Sequence, residues 1–289
     1  MIKETVAKTL LSSVKQPDTW FGLKYNMNLY RGCQHQCIYC DSRSECYQIE
    51  NFNDIIVKSN AIELLDRELS RKRIKGTIGT GSMNDPYMPI EREINLTGSA
   101  LKIIAKHRFP VHILTKSNLV VRDLDTLLEI NKIYTAVSFT VTTINDELGM
   151  KLEPGASLVS DRFKAMKVLA SNGIMTGITM MPVLPFIEDT KENITGIVRK
   201  AYESGASYII PAFGMTLRDR QRNYYYQKLE HLFPGIKQKY ETYFREKYSC
   251  SVPNVRELEQ VFYESCSKYG IMTKIRSYIT PADEQLHLL

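Results

Sequence analysis

Cys33, Cys37 and Cys40 fall within eight residues, in the run Asn28-Leu29-Tyr30-Arg31-Gly32-Cys33-Gln34-His35-Gln36-Cys37-Ile38-Tyr39-Cys40-Asp41, in a chain with only six cysteines in 289 residues. Thiolates are soft ligands suited to iron–sulfur clusters, zinc or copper(I), and steps of four and three residues let one tight loop direct several sulfurs at one centre. Three thiolates are one short of the usual zinc set, so a centre held by this loop alone keeps a position open for something other than protein. The spacing also allows a structural zinc loop completed by Cys46 or His35, or three unrelated core thiols. Cys46, Cys250 and Cys266 lack ligand-like spacing. Isolated thiols are usually small buried hydrophobes, the other reading being an auxiliary cluster.

Such a loop has to be delivered by rigid elements. Residues 25–30 read as a short strand that leads into it, and 61–69 carry the i, i+3, i+4 apolar spacing of an amphipathic helix. Alternation follows: strands over 77–82, 111–116, 134–142, 177–183 and 207–211, with helices over 96–106, 123–130, 162–170 and 194–203. Ser160-Asp161 signals the start of the third of these helices. Repeated strand–helix units with short connections predict a parallel sheet with right-handed crossovers, wound into an arc or barrel. In such folds functional residues collect at the carboxyl ends of the strands. Here those ends carry the cysteines, Ser82-Met83-Asn84-Asp85-Pro86-Tyr87, Lys116-Ser117-Asn118 and Pro182-Val183-Leu184-Pro185. A lysine that ends an apolar strand needs an anion or solvent, which marks Lys116.

Past residue 215 the alternation stops, and a mostly helical stretch holds nine of the 17 tyrosines. It reads as a C-terminal cap over 216–289, after a lead-in over 1–23 and a core over 24–215. The lead-in holds the only tryptophan, Trp20, expected to pack against the barrel floor or the cysteine loop.

A content of 43% hydrophobic and 24% charged residues is ordinary for a globular protein. No apolar run reaches the roughly 18 residues of a membrane span, and Met1-Ile2-Lys3-Glu4-Thr5 lacks the apolar core of a secretory signal. A cytoplasmic enzyme without a membrane partner is expected, since thiols meant for a metal need a reducing compartment. The net charge of +6 permits a polyanionic partner without requiring one. Arg71-Lys72-Arg73-Ile74-Lys75 closes a helix, where cations offset the macrodipole. Arg218-Asp219-Arg220-Gln221-Arg222-Asn223-Tyr224-Tyr225-Tyr226 mixes cations and aromatics, which suits phosphates and bases but equally the polar start of a cap helix.

The cysteine spacing, with Tyr39 before the third cysteine, resembles the cluster loop of the radical S-adenosylmethionine (SAM) superfamily. Leu29-Tyr30-Arg31-Gly32-Cys33, Asn84 to Glu91, Leu114-Thr115-Lys116-Ser117, Ser138, Leu152-Glu153-Pro154 with Arg162, and Met181 to Pro185 resemble in particular its spore photoproduct lyase-like branch. The resemblance implies a partial (β/α)6 TIM-type barrel, a [4Fe-4S] cluster on Cys33, Cys37 and Cys40, and SAM bound to its unique iron. It also implies an external one-electron reductant of the flavodoxin or ferredoxin type. Asn84 and Asp85 match contacts to the SAM amino group; Lys116 and Ser138 match positions that hold its carboxylate. Arg162 reaches that carboxylate or pairs with Glu153, and Tyr39 and the backbone near Pro182 help enclose adenine. His35 is expected at the surface or behind the ligands. The activity implied is reductive cleavage of SAM to a 5′-deoxyadenosyl radical that abstracts hydrogen from a substrate, with a nucleic-acid base, a peptide and a small metabolite as the candidates. One departure concerns the branch's lesion-repair enzyme, which has a hydrogen-donating cysteine at the end of strand two. Ser82 stands there, and its O–H bond is too strong to serve. The reading from another class is a non-catalytic iron–sulfur or zinc protein that binds nucleic acid. The oligomeric state is not legible.

Overall fold

The structure is a computed structural model and describes residues 1–14, 18–49 and 51–279. The chain begins with β1 (Ile2–Thr5) and β2 (Leu11–Ser13). Next, β3 (Tyr25–Met27) and β4 (Tyr30–Arg31) lead into the cysteine loop, and β5 (Ile55–Lys58) leaves it. Alternation then runs α1 (Ala61–Ser70), β6 (Ile78–Thr80), α2 (Glu91–Ile94), α3 (Leu96–Lys106), β7 (Val111–Thr115), α4 (Leu124–Asn131), β8 (Thr135–Thr140), α5 (Asp146–Leu152), α6 (Val159–Ser171), β9 (Met175–Met180), α7 (Lys191–Glu203) and β10 (Tyr208–Pro211). Six parallel strands in the order β10-β9-β8-β7-β6-β3 make an open sheet, with β2 antiparallel along β3. This is the expected partial barrel.

Every residue of β8 is buried, as expected of a parallel strand covered on both faces. Helix α1 turns Ala61, Leu64, Leu65 and Leu69 inward, and the Thr190 hydroxyl caps α7 by accepting from Asn193 N. Helix α6 starts one residue before the expected Ser160-Asp161 signal. Ser160 N is taken up by Asp146 Oδ1 at 2.8 Å, so an acceptor from α5 serves where the sequence suggested a local cap.

The rest of the chain forms β11 (Gly214–Thr216), α8 (Asp219–Leu232), α9 (Ile236–Phe244), β12 (Ser249–Ser251) and α10 (Val255–Tyr269). Strands β11 and β12 pair antiparallel. Tyr225, Leu229, Tyr240 and Phe244 of α8 and α9 share an apolar cluster with Cys37, Ile38, Tyr39 and Leu184, so these helices cover the mouth of the arc. Helix α10 does not cap. Its Leu258, Phe262 and Cys266 join the main core against α7, and Lys191 pairs with Glu257 at 2.5 Å. Met272 then bridges to Tyr208 in parallel. Trp20 is 49% exposed and does not pack on the floor; Phe21 does, stacked on His112 at 4.7 Å. Among the described residues no helix is long and apolar enough to cross a membrane.

Candidate active site

A cavity of about 500 Å³ opens at the carboxyl ends of the strands, and Cys33, Cys37 and Cys40 all line it. The loop that carries them is pinned from several sides. Ile38 N donates to Leu152 O at 2.9 Å and Gly155 N to His35 O at 3.0 Å, so the turn between α5 and α6 runs along the loop. A Cβ on Gly155 would strike the Gln34 carbonyl oxygen, which is why the close approach needs glycine. On the other side Ile90 N donates to Gln34 Oε1 at 2.7 Å, and the fully buried Gln221 of α8 gives Nε2 to the Tyr39 carbonyl at 3.0 Å. Gly81 follows β6 at φ +100°, and any side chain there would meet the Leu114 carbonyl, so the strand end can turn into the cavity wall.

Asn84, Asp85, Lys116 and Tyr39 line the same cavity. Asn84 Nδ2 donates to the Tyr30 carbonyl at 2.7 Å. Asp85 is engaged within the protein through both carboxylate oxygens. Its Oδ1 accepts from Tyr87 N and Thr115 Oγ1, and its Oδ2 accepts from Lys116 N at 2.6 Å. His35 Nδ1 lies 3.2 Å from the same Oδ2 without the alignment of a hydrogen bond. Burial opposes the Asp85 charge, but His35, Thr115 and the Lys116 N–H outweigh it and bring the pKa down to about 2. Three of its roughly four acceptor positions are taken, so Asp85 braces β6, β7 and the cysteine loop and keeps one Oδ2 position unfilled on a residue that lines the cavity. His35, 2% exposed, is part of this brace and not a surface group.

Lys116 has no ion-pair partner among the described residues, and its Nζ lies 5.9 Å from the centre of the Tyr39 ring. Burial works against its charge, but Cys37, Glu153 and Asp85 hold its pKa above the ordinary lysine value. It is a fixed cation facing the cavity. Arg162 does not face it. Nη2 pairs with Glu153 Oε2 at 2.5 Å, Nε donates to Ser157 O at 3.0 Å and Nη1 to Thr140 O at 2.9 Å. Glu153 also accepts from the Tyr39 hydroxyl. Of the two roles open to Arg162 the structure supports the ion pair, and Tyr39–Glu153–Arg162 forms a buried clamp on the cysteine loop. Ser138 is likewise absent from the cavity wall. Its hydroxyl lies 2.8 Å from His112 Nε2 and 2.6 Å from the Tyr208 hydroxyl, one inward row below Thr140, and Thr140 is the β8 residue that reaches the cavity. Strand period places 138 and 140 on the same face, and the preference for strand ends could have selected Thr140.

Burial, and then the Asp85 carboxylate, pushes the Cys33 thiol up to about 12, and burial raises Cys37 well above its usual value. Thiols in this setting ionise at neutral pH only against a bound cationic centre. Among the described residues no three His, Cys, Asp or Glu side chains converge on one metal ion; the three thiols instead share a cavity wall. Two buried nitrogens around the loop, His35 Nδ1 and Arg43 Nε, have no hydrogen-bond acceptor among the described residues. Three thiols on one cavity wall, with the polar groups of His35 and Arg43 close to their loop, fit a sulfur-rich cluster. Cys250 is buried under the cap, Cys266 lies in the main core, and Cys46 is exposed beside Arg218, so these three do not meet.

The cations of the Arg-Tyr segment face groups of the protein itself. Arg218 reaches Cys46 Sγ and faces Asp41 at 3.9 Å, Arg220 faces Glu45 at 3.8 Å, and Arg222 donates to the carbonyls of Arg245 and Lys247. The structural reading, the polar start of a cap helix, accounts for these contacts.

An open parallel arc that gathers three thiols and a lysine at its carboxyl mouth defines a ligand-binding partial barrel. The family model of the radical SAM superfamily matches residues 27–197, and the chain belongs to that superfamily. An uncharacterised protein of Methanocaldococcus jannaschii is 35% identical over 188 residues, covering 64% of this chain and 68% of that protein. A radical SAM Nα-GlyT isomerase of Pseudomonas phage M6 is 26% identical over 181 residues, covering 63% of this chain and 37% of its own. Spore photoproduct lyase in complex with dinucleoside spore photoproduct has a similar fold, with a TM-score of 0.69 at 16% identity over 93% of this chain and 79% of that one.

Proposed function

We propose that this chain holds a [4Fe-4S] cluster on Cys33, Cys37 and Cys40 with SAM beside it, and starts hydrogen abstraction on a nucleic-acid base. When bound and reduced by one electron, cluster and SAM supply a 5′-deoxyadenosyl radical. The observation that carries the reading is that the three thiols and the cationic Lys116 open on one cavity at the strand ends. Lys116 offers its charge to the SAM carboxylate, and Asn84 and Thr140 add polar groups on the same wall. Tyr39, fixed through Glu153 and Arg162, holds the loop between the second and third thiols in register with the barrel. A primary alkyl radical takes almost any hydrogen within reach, so the walls must bring the target C–H close and keep solvent out. The apolar cap over Cys37 and Tyr39 serves the second task.

The base as substrate is supported by the similarity to spore photoproduct lyase complexed with dinucleoside spore photoproduct. One observation favours a second reading, the same chemistry on a peptide or small metabolite: Arg218 and Arg220 of the Arg-Tyr segment face carboxylates and Arg222 donates to backbone carbonyls, so the segment is not a free basic stripe. Anaerobic reconstitution with dithionite and SAM tests the chemistry. Wild type should contain about four irons per chain and release 5′-deoxyadenosine, and Cys37→Ala should lose both. Colourless protein holding one zinc would refute the proposal. Salt-sensitive DNA binding by the wild type then separates the base from the smaller substrates.

A further inference from the structure

Arg43 lies three residues past Cys40 and is gripped by its surroundings. Its guanidinium sits between the rings of Phe52 and Tyr224, 4.2 and 3.6 Å from their centres. Nη2 donates to Gln36 Oε1 at 2.6 Å, and Gln36, between Cys33 and Cys37, returns Nε2 to the Cys33 carbonyl at 2.8 Å. Phe52 packs in one apolar cluster with Cys33, and Cys40 lies against it. Arg218 and Arg220 face Asp41 and Glu45, whereas Arg43 pairs with no carboxylate among the described residues, and its Nε is buried without an acceptor.

Arg43 is half-buried, with its Nε shut off from solvent, and a cation placed so without a carboxylate partner favours any anion brought close to it. Asp41 already faces Arg218. The anions left to this loop are the thiolates themselves. Burial lowers the Arg43 pKa, while Tyr224 and the three cysteines in their ionised forms work against that.

Resting on the reading of Cys33, Cys37 and Cys40 as cluster ligands, we propose that Arg43 is the half-buried counter-cation of the [4Fe-4S] site and sets the potential at which that site accepts its electron. The electron comes from the external flavodoxin- or ferredoxin-type reductant, which is oxidised by one electron; no bond to Arg43 forms or breaks. A cluster on three thiolates gains one negative charge on reduction, and a fixed positive charge beside it favours the reduced form. The cation–π contact with Tyr224 ties this charge to α8, so the cap and the cluster loop share one side chain.

The test uses full-length chain reconstituted anaerobically as wild type, Arg43→Gln and Arg43→Lys. Iron is counted, and the potential is read from the EPR signal during reductive titration. Arg43→Gln should keep wild-type iron but need a more negative potential, by about tenfold in the reduction equilibrium, or about 59 mV for one electron. Arg43→Lys should recover most of that shift. Loss of iron from Arg43→Gln alone, with near wild-type potential in Arg43→Lys, also supports a role for the charge. An unchanged potential in iron-replete Arg43→Gln overturns the proposal, as does loss of iron from both variants, which would make Arg43 a scaffold of the loop. A wild type that binds zinc or no iron sinks the cluster reading itself, and the variant outcomes arise only once the wild type carries its irons.

Discussion

At the scale of single residues, His112 separates what stabilises the barrel from what serves the cavity. It sits below the mouth, bonded to Ser138 and stacked under Phe21. Burial lowers its pKa from 6.5 to about 4, with Asp18 pulling weakly the other way. Between those two values the unfolded chain binds the proton and the folded chain does not. Stability is therefore complete above pH 6.5 and declines as the pH falls toward 4, by about 3 kcal/mol in all. In cluster-free protein, urea titrations at pH 7 and pH 4.5 should show His112→Gln losing less stability on acidification than wild type; equal losses would contradict the assignment. The three thiols were legible because one rare residue type recurs at fixed short separations, and Lys116 because a cation ends an apolar strand. Ser138 misled because alternation gives the face of β8 but not the depth. Ser138 is spent below the mouth on His112 and Tyr208, whereas Thr140, two residues on along the same face, lines the cavity. Arg43 left no signal, since its partners Phe52 and Tyr224 come together only in three dimensions.

At the scale of elements, the strand positions followed from hydrophobic runs alternating with amphipathic helices and their number, six, from the family resemblance, and the sheet order confirms both. What could not be read was which surface each remaining helix meets. Helix α10 has an apolar stripe like any other, and a stripe does not name its partner; here the partner is α7. The turn between α5 and α6 was equally silent, yet it runs against the cysteine loop at Gly155. An added methyl group there has to displace the Gln34 carbonyl. Gly155→Ala is expected to cost about 1–3 kcal/mol, as overpacking usually does, and to lower the iron retained after reconstitution. Denaturant midpoints and iron per chain check this; wild-type values for both would show that the turn does not set the loop.

At the scale of the whole molecule, the arc supplies the inner wall, the cysteine loop the proposed cluster ligands and the cap the lid, and the three meet around one cavity. Gln221 and Tyr224 of the cap touch the loop, so cap and loop are coupled through direct contacts. On the proposed reading this cavity presents an open cluster position and Lys116 to the same SAM molecule. EPR of the dithionite-reduced protein tests it most directly. Added SAM should change the cluster signal in wild type, and Lys116→Ala should keep its iron yet need at least about tenfold more SAM for the same change, the loss of one charge-assisted contact. A reduced wild-type signal that stays the same at saturating SAM would contradict the account.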